Sequence, residues 1–173
     1  MKALLLLAVV FLSACASPRA GTLATPVAAS PSLIGGPCPI TTPPLVALTP
    51  PPPAATGPNA GLTFRAGPNE FLYGNEALVV GLPNDGTIHP SDPSRGLPGG
   101  MKFGWDRLAH GDLTISTRRL DASTAPVAAD VPGGYGDIGF QVSGLNFPAP
   151  GCWQVSGTVG SRTLTFVVNV VAR

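Results

Sequence analysis

Twelve of the chain's 21 prolines lie between residues 16 and 58, and they restrict what that stretch can become. Proline carries no backbone N–H and biases the residue before it toward extended backbone. Neither a helix nor a central strand can therefore propagate through Pro43-Pro44 or Pro50 to Pro53. Arg19 is the only charge in the stretch, and the remainder is mostly Ala, Ser, Thr and Gly with scattered Val, Leu and Ile. A disordered linker of polyproline character is predicted for residues 15–58, in preference to a proline motif read by a partner domain. As a coil it would reach about 35 Å end to end. With 22 glycines beside the prolines and no long apolar run of helical period, the rest of the chain is predicted all-β.

The first fourteen residues read differently. Lys2 precedes the apolar run Ala3 to Leu12, which suits an export signal and is shorter than the roughly 20 residues a spanning helix needs. The run ends in Leu12-Ser13-Ala14-Cys15, which resembles the lipobox of bacterial lipoproteins. That resemblance implies removal of residues 1–14 as a signal peptide, a diacylglyceryl group on Cys15, and attachment to a membrane on the extracytoplasmic side. Ala16 follows the cysteine where many inner-membrane lipoproteins carry aspartate, which fits an outer-membrane destination or a single-membrane cell. Two acyl chains hold a protein stably at a bilayer, whereas one is marginal.

Cys38 and Cys152 then remain as an even pair in an oxidising compartment, and a disulfide between them is predicted. The alternative is a buried Cys152 with a free Cys38. A bridge would close a loop of about 113 residues and lay residues 39–58 along the module surface.

From Asn59 onward charges, aromatics and alternation appear, so residues 59–173 are taken as the folded module. Strands are predicted at 62–65, 77–82, 101–105, 112–120, 138–142, 152–159 and 162–171, with Pro83 to Gly86 as a hairpin-type turn. The last two carry the clearest pattern. Trp153, Val155 and Val159 share one face, and Leu164, Phe166, Val168 and Val170 alternate inward against Thr163, Thr165 and Asn169.

The run FPAPGCWQVSGTVGSRTLTFVVNV resembles the closing strands of immunoglobulin-like modules in bacterial envelope proteins. Taken with Lys102 to Trp105, Arg118 to Asp121 and Gly134 to Gly136, it is similar to a group of small envelope lipoproteins that is itself uncharacterised. The resemblance implies an immunoglobulin-like β-sandwich. The chain departs from antibody domains, because no second intradomain cysteine can form their inter-sheet bridge. Fold likeness of this kind carries no activity with it.

Chemistry-bearing motifs are sparse. The chain has no phosphate-cradling glycine loop ahead of a lysine, no serine elbow and no histidine pair at metal spacing, so no catalytic residue, metal or cofactor is assigned. A net charge of +1, with 11% of residues charged, gives no case for nucleic acid. His89 and His110 sit beside turn residues and read as surface side chains. Met101 with two histidines falls short of the usual copper-handling complement.

Arg118 and Arg119 are neighbours on one strand and must point to opposite faces; the inward one needs Asp106 or Asp121 as an ion-pair partner, or else serves a ligand. Tyr135, among glycines, is either a loop contact or a tyrosine folded onto a corner of the sandwich. The preferred reading is a lipid-anchored binding module for an envelope protein, glycan or small ligand, with Trp105, Arg107, Arg118, Arg119 and Tyr135 as candidate contacts. A structural or accessory role in an envelope complex is the alternative, and an enzyme is disfavoured.

Overall fold

The computed structural model describes residues 36–54, 56–62, 64–90 and 100–172. The segment read as an export signal, Cys15 and the first part of the proline-rich stretch lie outside these residues. The described part is all-β, with nine strands and no helix. They are β1 (Glu70–Gly74), β2 (Leu78–Pro83), β3 (Thr87–Ile88), β4 (Gly100–Arg107), β5 (Leu113–Arg119), β6 (Ala129–Asp130), β7 (Gly139–Asn146), β8 (Gly151–Val159) and β9 (Arg162–Val170). They form a five-stranded sheet ordered β1-β2-β4-β7-β6 and a four-stranded sheet ordered β3-β9-β8-β5. Every pairing is antiparallel except β3 with β9.

Period-two alternation explains how the two sheets meet. Phe103 and Trp105 of β4, Leu145 of β7 and the apolar side chains of β2 face Trp153, Val155, Val159, Leu164, Phe166, Val168 and Val170 across one shared core. Phe166 is central, with its ring 5.5 Å from that of Phe103 and 5.9 Å from that of Trp105. Both tryptophan N–H groups are satisfied without leaving the core. Trp105 Nε1 donates to Ser143 Oγ at 2.9 Å, and Trp153 Nε1 donates to the Ala149 carbonyl at 3.1 Å. Two sheets over one core are compatible with a β-sandwich.

Local chemistry sets the corners. Asn75 Oδ1 accepts from the backbone N–H of Ala77 at 2.9 Å and of Leu78 at 3.0 Å, closing the β1–β2 reversal. The turn at Pro83 to Gly86 is not a hairpin. β2 is already paired on both sides, so the chain crosses to the other sheet, where Asn169 donates its N–H to the Gly86 carbonyl at 2.8 Å and β3 runs parallel to β9. The strand expected at 62–65 is absent among the described residues of that stretch. Instead a strand forms at β1, just beyond the Gly67-Pro68-Asn69 turn.

Cys38 and Cys152 form a disulfide, with an S–S distance of 2.06 Å. From that bridge residues 36–54 and 56–62 run along the module as a strap. Thr41 donates its N–H to the Val167 carbonyl at 2.9 Å, and Val167 returns its own N–H to Thr41 Oγ1 at 2.9 Å. Farther on, Pro51 and Asn59 are buried, and Ala54 makes a parallel bridge with Ala60. Between these anchors Leu45 and Val46 stand exposed at the tip.

Candidate binding cleft

On β4 the side chains of Phe103, Trp105 and Arg107 turn to the core, which leaves Lys102, Gly104 and Asp106 on the outer face of the five-stranded sheet. Gly104 there neighbours Gly81 of β2, and the ring of Phe64 lies on both. A Cβ added at either glycine would come within 2.5 Å of that ring. Glycine inside a strand marks such close approaches, and here two of them make a floor for one aromatic knob. The row continues through Phe140, whose ring is stacked 5.9 Å from Phe64 and meets Tyr135 edge-on at 6.2 Å.

The strap crosses this face beside the knob. Asn59 is buried, and its Nδ2 donates to the carbonyls of Tyr135 and of Ile138, the latter at 3.1 Å. Pro52, Pro53 and Ala54 of the strap stand across a cleft of about 490 Å³ from Leu108 and Ile138. Asp106 lines that cleft. It is 3% exposed, and among the described residues its Oδ2 has no hydrogen-bond partner. Burial pushes its carboxyl up to about 6, opposed by a hydrogen bond from the Phe64 backbone.

The candidate contact residues fall into two groups, one at each end of the module. Arg107 and Tyr135 meet at the first end, with Arg107 almost fully buried. Its guanidinium donates to the carbonyls of Gly111 at 2.9 Å, Tyr135 at 3.1 Å and Gly139 at 3.4 Å. Burial lowers its pKa, and Asp137 and Asp112 oppose that shift. This arginine ties loops together, and Trp105 beside it is fully buried mid-strand. Period two on β4 sends both inward with Phe103, so neither stands on an exposed loop, although Arg107 also lines the cleft. Tyr135 is half-buried against Phe140, the corner position rather than the free loop contact. His110 Nδ1 pairs with Asp137 Oδ2 at 2.9 Å, with both side chains largely exposed; this hydrogen bond is the main cause holding the Asp137 carboxyl below its usual range.

β5 runs from that end to Arg118 and Arg119 at the other. Arg118 donates to Gln154 Oε1 at 3.0 Å. Arg119 Nε pairs with Asp121 Oδ1 at 2.7 Å, and its guanidinium carbon lies 6.0 Å from the centre of the Trp153 ring. Asp121 Oδ2 accepts from the Cys152 N–H at 3.2 Å, and chiefly the Arg119 hydrogen bond holds its carboxyl low. Of the two partners weighed for the inward arginine, Asp121 is the one used; Asp106 lies on the opposite sheet. A depression of about 510 Å³ runs along Arg118 to Thr124. A third, of about 410 Å³, is lined by His89 and Met101 together with Asp85 and Glu70. No group of three or more His, Cys, Asp or Glu side chains that could hold a metal occurs among the described residues.

Sequence reasoning missed Asp106 as a cleft residue, although the isolated strand glycines Gly81 and Gly104 carried the clue to what covers that face. In comparisons with known proteins, no family model matches the chain, and neither a curated protein nor a solved structure matches it.

Proposed function

We propose that the chain is a membrane-anchored extracytoplasmic lipoprotein that displays an immunoglobulin-like β-sandwich as a binding module for an envelope protein, glycan or small ligand. The observation that carries this reading is the Cys38–Cys152 disulfide. Such bridges persist where thiols are oxidised, and this one follows a lipobox-like Leu12-Ser13-Ala14-Cys15 that would deliver the chain to such a compartment. The strand order supports the fold part of the reading. β2-β4-β7-β6 over β3-β9-β8-β5, with the parallel β3–β9 pair at one edge, is the arrangement expected of an immunoglobulin-like domain carrying the extra hairpin strand β1. Diacylation of Cys15 supplies the anchor, and the residues between Cys15 and Cys38 form the tether.

Membrane fractionation of wild type and Cys15→Ala, with mass measurement of the mature N-terminus, tests the anchoring. Wild type should partition with the membrane as a diacylated chain beginning at Cys15, and the variant should be released or left unprocessed. A Cys15→Ala protein that stays membrane-bound and fully processed would remove the lipoprotein reading. An accessory role in an envelope complex is the second reading, favoured by the exposed Leu45 and Val46 at the strap tip. Crosslinking in the native envelope separates the two: one stoichiometric protein partner captured through that tip supports the accessory role.

A further inference from the structure

The cleft between the strap and the five-stranded sheet joins three properties that nothing in the fold requires of it. Its walls are mostly apolar, with Pro52, Pro53, Ala54, Leu108 and Ile138 beside Thr56 and Arg107, and it measures about 490 Å³. Its one anionic side chain, Asp106, is 3% exposed and leaves Oδ2 without a partner among the described residues. One wall has few donors of its own, because prolines 50 to 53 contribute no backbone N–H, and the Ala54 carbonyl accepts from the Gly61 N–H at 3.1 Å.

The Phe64 backbone bonds this carboxyl, yet a buried carboxylate oxygen left without a partner is costly, and its complement is a cation or a strong donor. Arg107 also lines the cleft, but among the described residues no ion pair joins it to Asp106. The strap from Pro52 to Thr56 carries no charge. The Arg107 guanidinium is instead held by the carbonyls of Gly111, Tyr135 and Gly139. Lys102 shares the face of Asp106 but stands four residues away, about 13 Å along the strand. Glu70 and Asp130, at other register positions on that face, are both anionic.

We propose that this cleft binds a primary ammonium group on a short aliphatic body, with Asp106 as the counter-ion and the proline, leucine and isoleucine side chains as the apolar walls. The inference rests on reading the module as a binding unit and names the ligand chemistry of this cleft. A free amine and a lysyl side chain present the same group, so both are tested.

The experiment is a methyl NMR titration of the full chain, disulfide intact, with n-butylammonium, with Nα-acetyl-lysine methylamide, and with n-butanol as the neutral isostere. Saturable shifts at Leu108 and Ile138 are expected for at least one of the two cations, with n-butanol at least about tenfold weaker. Saturation by butylammonium alone identifies a free amine as the ligand, and saturation by the lysine derivative identifies a peptide side chain. Affinity should fall as pH drops through about 6 and Asp106 takes up its proton. Asp106→Asn should weaken binding by about tenfold or more. Leu108→Trp, which fills the cleft from an exposed position, should abolish it and decides the matter should the asparagine variant not fold. The proposal is overturned by the absence of saturation with either cation, by equal affinity for n-butanol, or by binding that survives the substitutions. Cys15→Ala should leave the titration unchanged, so failure of the anchor and failure of the cleft are distinguishable.

Discussion

The β8–β9 hairpin and the strap that follows Cys38 are held to the same module by opposite means. The hairpin is nine register pairs of alternating side chains, from Gly151 with Val170 to Val159 with Arg162, and its inward half is the core. Its position is over-determined, since a slip of one residue would turn Phe166 and Trp153 into water. The strap has no strand ladder. It is fixed at separate points by the disulfide, the Thr41–Val167 pair, the Asn59 side chain and the Phe64 knob. Regular alternation distributes stability over many small contacts, whereas a proline-rich segment with few donors must concentrate it in a few.

The largest expected effect comes from the first of those points. Chain-entropy reasoning for a bridge of sequence separation 114 gives about 4–5 kcal/mol. Cys38→Ser should lower the free energy of denaturant unfolding by that order. It should also raise amide exchange in residues 39–62 well before that of β8 and β9. Equal loss of protection in hairpin and strap would break the comparison, because it would make the bridge a core element instead of a local pin.

Phe166→Ala attacks the other side. Removing a fully buried ring that touches Phe103 and Trp105 should cost about 3–5 kcal/mol. The unfolding midpoint should fall with the whole domain remaining one cooperative unit, and a strap that melts separately in this variant would contradict the shared core.

This contrast also explains what could be read in advance. The strands from β4 to β9 that carry several inward residues were legible because period two survives in the sequence, as in Leu164 to Val170. β3 and β6 are two residues each and have no period to detect. β1 was hidden between the turn formers Gly67-Pro68-Asn69 and Gly74-Asn75. The arginine pair at Arg118 and Arg119 was readable as one inward and one outward side chain, and Asp121 was among the partners considered. Trp105 and Arg107 carry chemistry suited to a contact surface, yet the same alternation that places Phe103 inward places them inward too. The cleft was illegible for a different reason: its two walls are more than fifty residues apart in the chain, and only Gly81 and Gly104 hinted at a covering segment.

Asp106 provides a test of intermediate size. Its folded pKa of about 6 is raised above the model-compound value of 3.8, so its contribution is fully present below the unfolded pKa and is lost as pH rises through about 6. The loss amounts to on the order of 2–3 kcal/mol. Wild type should therefore lose ground to Asp106→Asn between about pH 3 and about pH 7 in matched denaturant titrations without added amine. A stability difference that does not change over that window would mean that water or a cation already reaches the carboxylate, and the strap would then be a looser cover than the hairpin comparison requires.

The smallest effect isolates the knob. In Gly104→Ala the new methyl would sit 2.5 Å from the Phe64 ring, so the knob must lift, while β4 keeps its pairing with β7. A loss of about 1 kcal/mol is expected, as for modest overpacking at a half-buried position. Phe64→Ala should also destabilise, by loss of the stack on Phe140. In the Phe64→Ala background, however, Gly104→Ala should cost almost nothing, because the ring it displaced is gone. A double-mutant cycle reads this directly as a coupling of about 1 kcal/mol. Additive losses would place the cost of the methyl in the sheet itself, and the strap would then owe its position to the disulfide, the Thr41–Val167 pair and Asn59.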